Sequence, residues 1–287
     1  MTDSGRLEEK IDLSEEASAV IQKTLEMSDL SEILNQLYAL EKKCRLGNDT
    51  PSLVLICEHA LSMVKKLGKS LEESLDCLTT LCTRRSQKTK AVTALVQAAL
   101  PWIEECPTKE EQLKLVVSLR NITDGKIFLE AERARLTLQL SKMKEEAGDV
   151  GAAADILQEV HVETYGALSK REKIEYLLEQ MRVTLLNKDY VRSAIVSNKI
   201  NRKALSEEGM EEHRVRFFSL LTEYHRHEKD SYNLALDYHA IYRANSDTEA
   251  LKATILFLAL SPYHIEQQDM LHRIKTDDAV EKLDAYK

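Results

Sequence analysis

Lys170–Ile200 reads KREKIEYLLEQMRVTLLNKDYVRSAIVSNKI, and this stretch decides the fold. Ile174, Leu177, Leu178, Met181 and Leu185 recur at steps of three and four residues. That is the period of one helix face, so a helix is predicted over Lys170–Lys188 with an apolar stripe to bury. A second helical pattern follows over Tyr190–Ile200. Asp189 stands at the junction, where its carboxylate can accept from first-turn N–H groups and favour the positive end of the second helix. Two amphipathic helices joined by one short polar turn make a helical hairpin.

The hairpin repeats. Asp followed five residues later by Ala opens three segments: Asp149 and Ala154 in GDVGAAADIL, Asp189 and Ala194 in KDYVRSAIV, and Asp230 and Ala235 in KDSYNLALDY. The three Asp are 40 and 41 residues apart. Steps of the same size upstream reach Lys109, Lys69 and Asp29, which open KEEQLKLVVSL, KSLEESLDCLTTL and DLSEILNQLYAL. A fixed period of this length is the mark of a helical-repeat protein. The Ala in each signature fits a close helix crossing. Val215, Phe218, Leu221 and Tyr224 are the expected stripe of the next helix, and Leu234, Ala235, Tyr238, Ile241 and Tyr242 that of its partner. A helix from Ile127 to about Lys144 carries one stripe at Ile127, Ala131, Ala134 and Leu138 and another at Leu129, Leu136, Leu140 and Met143, so it needs neighbours on both sides. The expected fold is all-α, a right-handed solenoid of roughly six hairpins, similar in kind to tetratricopeptide repeats but with a period of about 40 residues.

Composition agrees with helices and short turns. The 287 residues contain 8 Gly and 4 Pro, where average usage would give roughly 20 and 14. A net charge of −8 opposes a nucleic-acid footprint. The short basic run Arg84, Arg85, Lys88 and Lys90 is read as a solvated turn. The longest apolar run, Ile255–Leu260, is far below the roughly 20 residues of a membrane helix. The first twenty residues lack a secretory signal pattern, so the expected location is cytoplasm and nucleus, and the five scattered cysteines are read as reduced core residues.

No residue pattern calls for catalysis, a cofactor or a metal. Neither a P-loop nor a dinucleotide glycine motif can be written from the eight glycines. His225 and His227 are two apart, which splays their rings on a helix, and they are read as a solvated helix end. Cys77 and Cys82 are too far apart for a redox pair. Glu110–Glu111 and Glu211–Glu212 are read as solvated faces, and Tyr165 as part of an inter-helix turn. The reading from another class is a hydrolase whose site is assembled across the solenoid's concave face.

The stretch Asn121–Asn201, above all Gly125–Leu136 (GKIFLEAERARL), Ala152–Gly166 (AAADILQEVHVETYG) and Glu179–Arg182 (EQMR), closely resembles PCI-domain subunits of the proteasome lid. LSPYHIEQQDMLHRI at Leu260–Ile274 resembles the same family, and LYALEKKCR at Leu37–Arg45 does so more faintly. The resemblance implies a non-catalytic scaffold of the regulatory particle, with a helical-repeat arm over 1–245 and, over 246–287, the first helices of a PCI module that stops before its winged helix. It also implies contacts with other lid subunits, the lid deubiquitinase, and the ATPase base or core particle; no nucleic acid or membrane partner is expected, on the charge and apolar-run grounds above. A paralogous PCI scaffold of the COP9 signalosome is the alternative.

Overall fold

Every regular element of the computed structural model is helical, with no strand among the described residues, 12–68, 70–281 and 283. Residues group into two compact units, 1–140 and 141–287, described separately below.

The first unit contains α1 (Ser14–Leu25), α2 (Leu30–Leu46), α3 (Thr50–Leu67), α4 (Leu71–Thr83), α5 (Thr89–Ala99), the short α6 (Trp102–Glu105) and α7 (Lys109–Thr123). The centre of this unit is α3, which packs against α1, α2, α4 and α5. It can do so because Leu53, Ile56, Cys57, Ala60, Leu61 and Val64 cover much of its circumference and are all buried. A 3-10 turn at Ile127–Leu129 leads into α8 (Glu130–Glu146), within which the boundary between the units falls.

The second unit continues with α9 (Val150–Gln158), a 3-10 turn at Val162–Thr164, α10 (Lys170–Leu186), α11 (Tyr190–Lys199), the short α12 (Arg202–Leu205), α13 (Glu211–Glu228), α14 (Ser231–Asn245), α15 (Thr248–Leu260), α16 (Ile265–Lys275) and α17 (Asp278–Glu281). Here α10 packs against α9, α11 and α13, α13 against α14, and α14 against α15. Ile174, Leu177, Leu178, Met181 and Leu185 of α10 are buried, as their spacing requires. Tyr238 of α14 stacks on Phe257 of α15, ring centroids 5.6 Å apart.

One turn recipe recurs at four of the Asp that join two helices, Asp49, Asp149, Asp189 and Asp230. The residue before the Asp adopts the left-handed conformation: Asn48 (φ 56°), Gly148 (φ 85°), Lys188 (φ 58°) and Lys229 (φ 58°). The Asp N–H then donates to a carbonyl five residues back, as in Asp189 to Thr184 at 2.9 Å and Asp230 to His225 at 3.0 Å. This closes the first helix in the Schellman manner. The same Asp caps the second helix, accepting from the N–H three residues on: Ser52 for Asp49, Ala152 for Asp149, Arg192 for Asp189 and Asn233 for Asp230. Two residues thus satisfy carbonyls of one helix and an N–H of the next.

Two expected stripes are displaced. The buried face of α13 runs through His213, Phe217, Leu220 and Leu221, so Phe217 rather than Phe218 enters the core. Phe217 has no exposed surface, while Phe218 is half-buried and meets it edge-on at 5.2 Å. The helix expected from Ile127 begins instead as a 3-10 turn after Gly125 (φ 66°), and Ile127 is left 79% exposed. Tighter winding turns it off the stripe its spacing suggested.

Candidate functional site

The positions singled out by the repeat are structural. Asp149, Asp189 and Asp230 cap α9, α11 and α14, each accepting a 3.0 Å hydrogen bond. Ala154 and Ala235 are buried, whereas Ala194 is half-buried and Ser193 and Ser197 occupy the buried side of α11. One period upstream, Thr108 caps α7, Ser70 caps α4 and Asp29 caps α2. Lys69 itself lies outside the described residues.

Polar contacts link one hairpin to the next at nearly constant separation. In the second unit Arg182 pairs with Glu145, Arg192 with Asp155, Arg216 with Glu179 and Lys170 with Glu207, each 37 residues apart, and His213 with Glu175 at 38. The starts of α10 and α13 are 41 residues apart, so these contacts fall about one helical turn short of the period. Arg182 bridges Glu145 and Glu179, and Arg216 extends the chain of charges to α13. Burial alone would raise the Glu179 carboxyl, but the hydrogen bonds from Arg182 and Arg216 hold it below the ordinary value of 4.5.

In the first unit the basic run is only in part a solvated turn: Arg85 and Lys90 are exposed, but Arg84 and Lys88 are drawn into contacts. Arg84 and Gln87 reach back to Glu41 of α2, which has no exposed surface and also accepts from Arg45 Nε at 2.9 Å. The Arg84 guanidinium lies over the Tyr38 ring at 4.5 Å, and Lys88 donates to Asn48. One buried carboxylate therefore ties the α4–α5 turn to α2. The sequence reading missed it because the partners are 43 residues apart, yet that separation, close to the repeat period, was the available signal.

His225 is likewise drawn inward. Its Nδ1 lies 2.6 Å from Oδ2 of the buried Asp237, and its ring meets Tyr224 edge-on. Burial raises the Asp237 carboxyl above the usual range, opposed by the His225 contact. His227 instead stacks on Tyr190 at 3.5 Å. Cys44, Cys57, Cys77 and Cys82 are buried and Cys106 is half-buried. Burial pushes the Cys44 thiol up to about 11 and Cys82 to about 12, the opposite of an activated nucleophile. No group of three or more His, Cys, Asp or Glu among the described residues is placed to hold a metal ion. No helix among them is long and apolar enough to cross a membrane.

Comparison with known proteins gives the chain a family. The model described as PSMD12/CSN4, N-terminal, matches residues 32–249. The chain belongs to the PSMD12/CSN4 N-terminal family. Within it, the sequence is 37% identical over 252 residues to the 26S proteasome non-ATPase regulatory subunit 12 of Dictyostelium discoideum, covering 85% of this chain and 56% of that protein. It is 30% identical over 271 residues to the 26S proteasome regulatory subunit RPN5 of Saccharomyces cerevisiae, covering 91% and 61%. It is 31% identical over 291 residues to homolog A of subunit 12 in Arabidopsis thaliana, covering 90% and 65%. The chain thus spans between 56% and 65% of the length of these curated relatives.

Proposed function

We propose that this PSMD12/CSN4-family chain is a non-catalytic scaffold of the lid of the 26S proteasome regulatory particle, supporting ubiquitin-dependent degradation through protein–protein contacts. The observation that carries this is the 37% identity, across 85% of the chain, to a protein named as a proteasome regulatory subunit. The non-catalytic part draws support from the thiols held protonated by burial and from carboxylates committed to caps and ion pairs. Residues 1–245 form the arm and 246–287 open a PCI module, a division supported by a family match that ends at residue 249. On this reading the partners are other lid subunits, the lid deubiquitinase, and the ATPase base or core particle, and the protein resides in cytoplasm and nucleus.

The second reading, a COP9 signalosome scaffold, is favoured by one observation: the family description pairs PSMD12 with CSN4. Affinity isolation of the tagged protein from its own cells, followed by quantitative mass spectrometry, separates the two. Enrichment of proteasome regulatory subunits is expected; enrichment of signalosome subunits in their place would transfer the chain to the second reading.

A further inference from the structure

Carboxylates withdrawn between the helices are matched by cations of two kinds. Glu41, buried, pairs with Arg45 and Arg84, and half-buried Glu179 with Arg182 and Arg216. A guanidinium stays charged at any pH a folded protein meets, so these contacts do not respond to pH near neutrality. Asp237 of α14 is different. It is buried, and among the described residues its carboxylate has one hydrogen-bond partner, His225 of α13, whose Nδ1 stands 2.6 Å from Oδ2. Imidazole is the side chain that ordinarily changes charge between about pH 5 and 8. The His225 side chain is 17% exposed, enough to exchange its proton with solvent, while that of Asp237 is 6% exposed. His225 also belongs to the turn that closes α13, where its carbonyl accepts from the Asp230 N–H at 3.0 Å.

We propose that His225 and Asp237 form a proton-operated latch between α13 and α14. With the imidazole protonated, the buried carboxylate has its counter-charge and the hairpin is fastened; with the proton gone, that charge is uncompensated and the hairpin loosens. Burial pushes the Asp237 carboxyl up, the mark of a charge that is costly where it stands. The other charges acting on it oppose each other: Arg202 of α12 favours the anion, and Asp230 at the head of α14 disfavours it. Remaining titratable groups are engaged elsewhere. On α13, Arg226 donates to Tyr238, and His227 lies against Glu228 and stacks on Tyr190 of α11. Glu175 and Glu179 of α10 meet α13 at His213 and Arg216, more than two helical turns from His225. On α14, His239 is near Arg243 and Asp277, and α15 faces Tyr238 with Phe257. As pH rises through neutrality the unfolded chain releases the imidazole proton, whereas the folded hairpin retains it because release strands Asp237. The folded state then holds more protons, so stability falls with rising pH, by at most about tenfold in the unfolding constant per pH unit for one proton. The latch lies within one hairpin and is independent of lid membership.

The test is urea unfolding of the isotope-labelled 287-residue chain from about pH 5.5 to about pH 8.5, the range in which imidazole changes charge. Unfolding is followed through the methyl signals of Leu234 and Ile241, which are buried in α14 and report the second unit. Asp237→Asn keeps the side-chain shape without the charge, and His225→Gln keeps a hydrogen-bond donor without the titration. The other histidines are common to all variants, so differences between the proteins isolate the pair. Relative to Asp237→Asn, the unfolding constant of the parent is expected to rise by about tenfold or more across this range. The destabilisation caused by His225→Gln should be largest at the acidic end and shrink towards the basic end, and the double variant should lack both trends. Each comparison stands without the other, so a variant that does not fold leaves the second to decide. Parallel pH profiles for the parent and Asp237→Asn, or a His225→Gln deficit that stays constant or grows with pH, would overturn the proposal.

Discussion

Removing Arg84 should loosen the first unit far more than its place in a polar turn suggests. Its guanidinium pairs with Glu41, whose side chain is 0% exposed, while its own side chain is 21% exposed. At an effective dielectric of about 20 the gross attraction of such a pair is about 4 kcal/mol, and part of this is offset by desolvation. Arg45 and Gln87 stay on the carboxylate after Arg84→Ala, so the charge is left under-compensated rather than bare. The expected loss is about 2–4 kcal/mol. The Glu41→Ala/Arg84→Ala cycle should give a coupling of about 2–3 kcal/mol. Lys114 and Glu72 provide the internal control: their side chains are 60% and 73% exposed, and their coupling should be about 0–1 kcal/mol. The assay is urea unfolding followed by the fluorescence of Trp102, the one tryptophan of the chain, which is buried in the first unit and reports that unit. A Glu41–Arg84 coupling no larger than the Lys114–Glu72 control would refute the idea that a buried carboxylate secures this turn.

Three further outcomes follow from other elements. Lys229→Gly should stabilise the second unit by about 0.5–1 kcal/mol in thermal unfolding, because Lys229 holds a left-handed conformation (φ 58°) that glycine adopts without strain. Ala235→Leu should cost about 1–3 kcal/mol by overpacking, since Ala235 has no exposed surface and packs in a core with Leu251 and Leu258; an unchanged denaturation midpoint would contradict that. Glu179 has a lowered folded pKa, so its stabilisation is present above pH 4.5 and is lost as pH falls through the depressed value. Glu179→Gln should therefore be less stable than the parent at pH 7, with a gap that narrows on acidification; a gap that widens would reverse the assigned sign.

Local features of the repeat were legible in the sequence, and contacts between repeats much less so. Asp149, Asp189 and Asp230 could be read as caps because a cap needs only its own turn and the following N–H groups. The stripe on α10 could be read because it faces a wide core. On α13 the reading failed by one residue: aromatic residues at both 217 and 218 satisfy helical spacing, and only the neighbouring helices decide which one is enclosed. On α11 the same limit applied, since Ser193 rather than Ala194 faces inward. His225 was read as a solvated helix end and nothing singled out Glu41, because burial of such groups depends on partners 12 and 43 residues away. Family membership was legible through resemblance alone, carried by stretches such as Gly125–Leu136 and Ala152–Gly166.

The measurement that bears most directly on the scaffold reading is acute depletion of this protein in its own cells, followed by gradient sedimentation of the proteasome regulatory particle and quantification of ubiquitin conjugates. A structural lid subunit predicts that the remaining lid subunits leave the particle fractions and that ubiquitin conjugates accumulate, both reversed by restoring the protein. An intact particle with unchanged conjugate levels after complete depletion would contradict it.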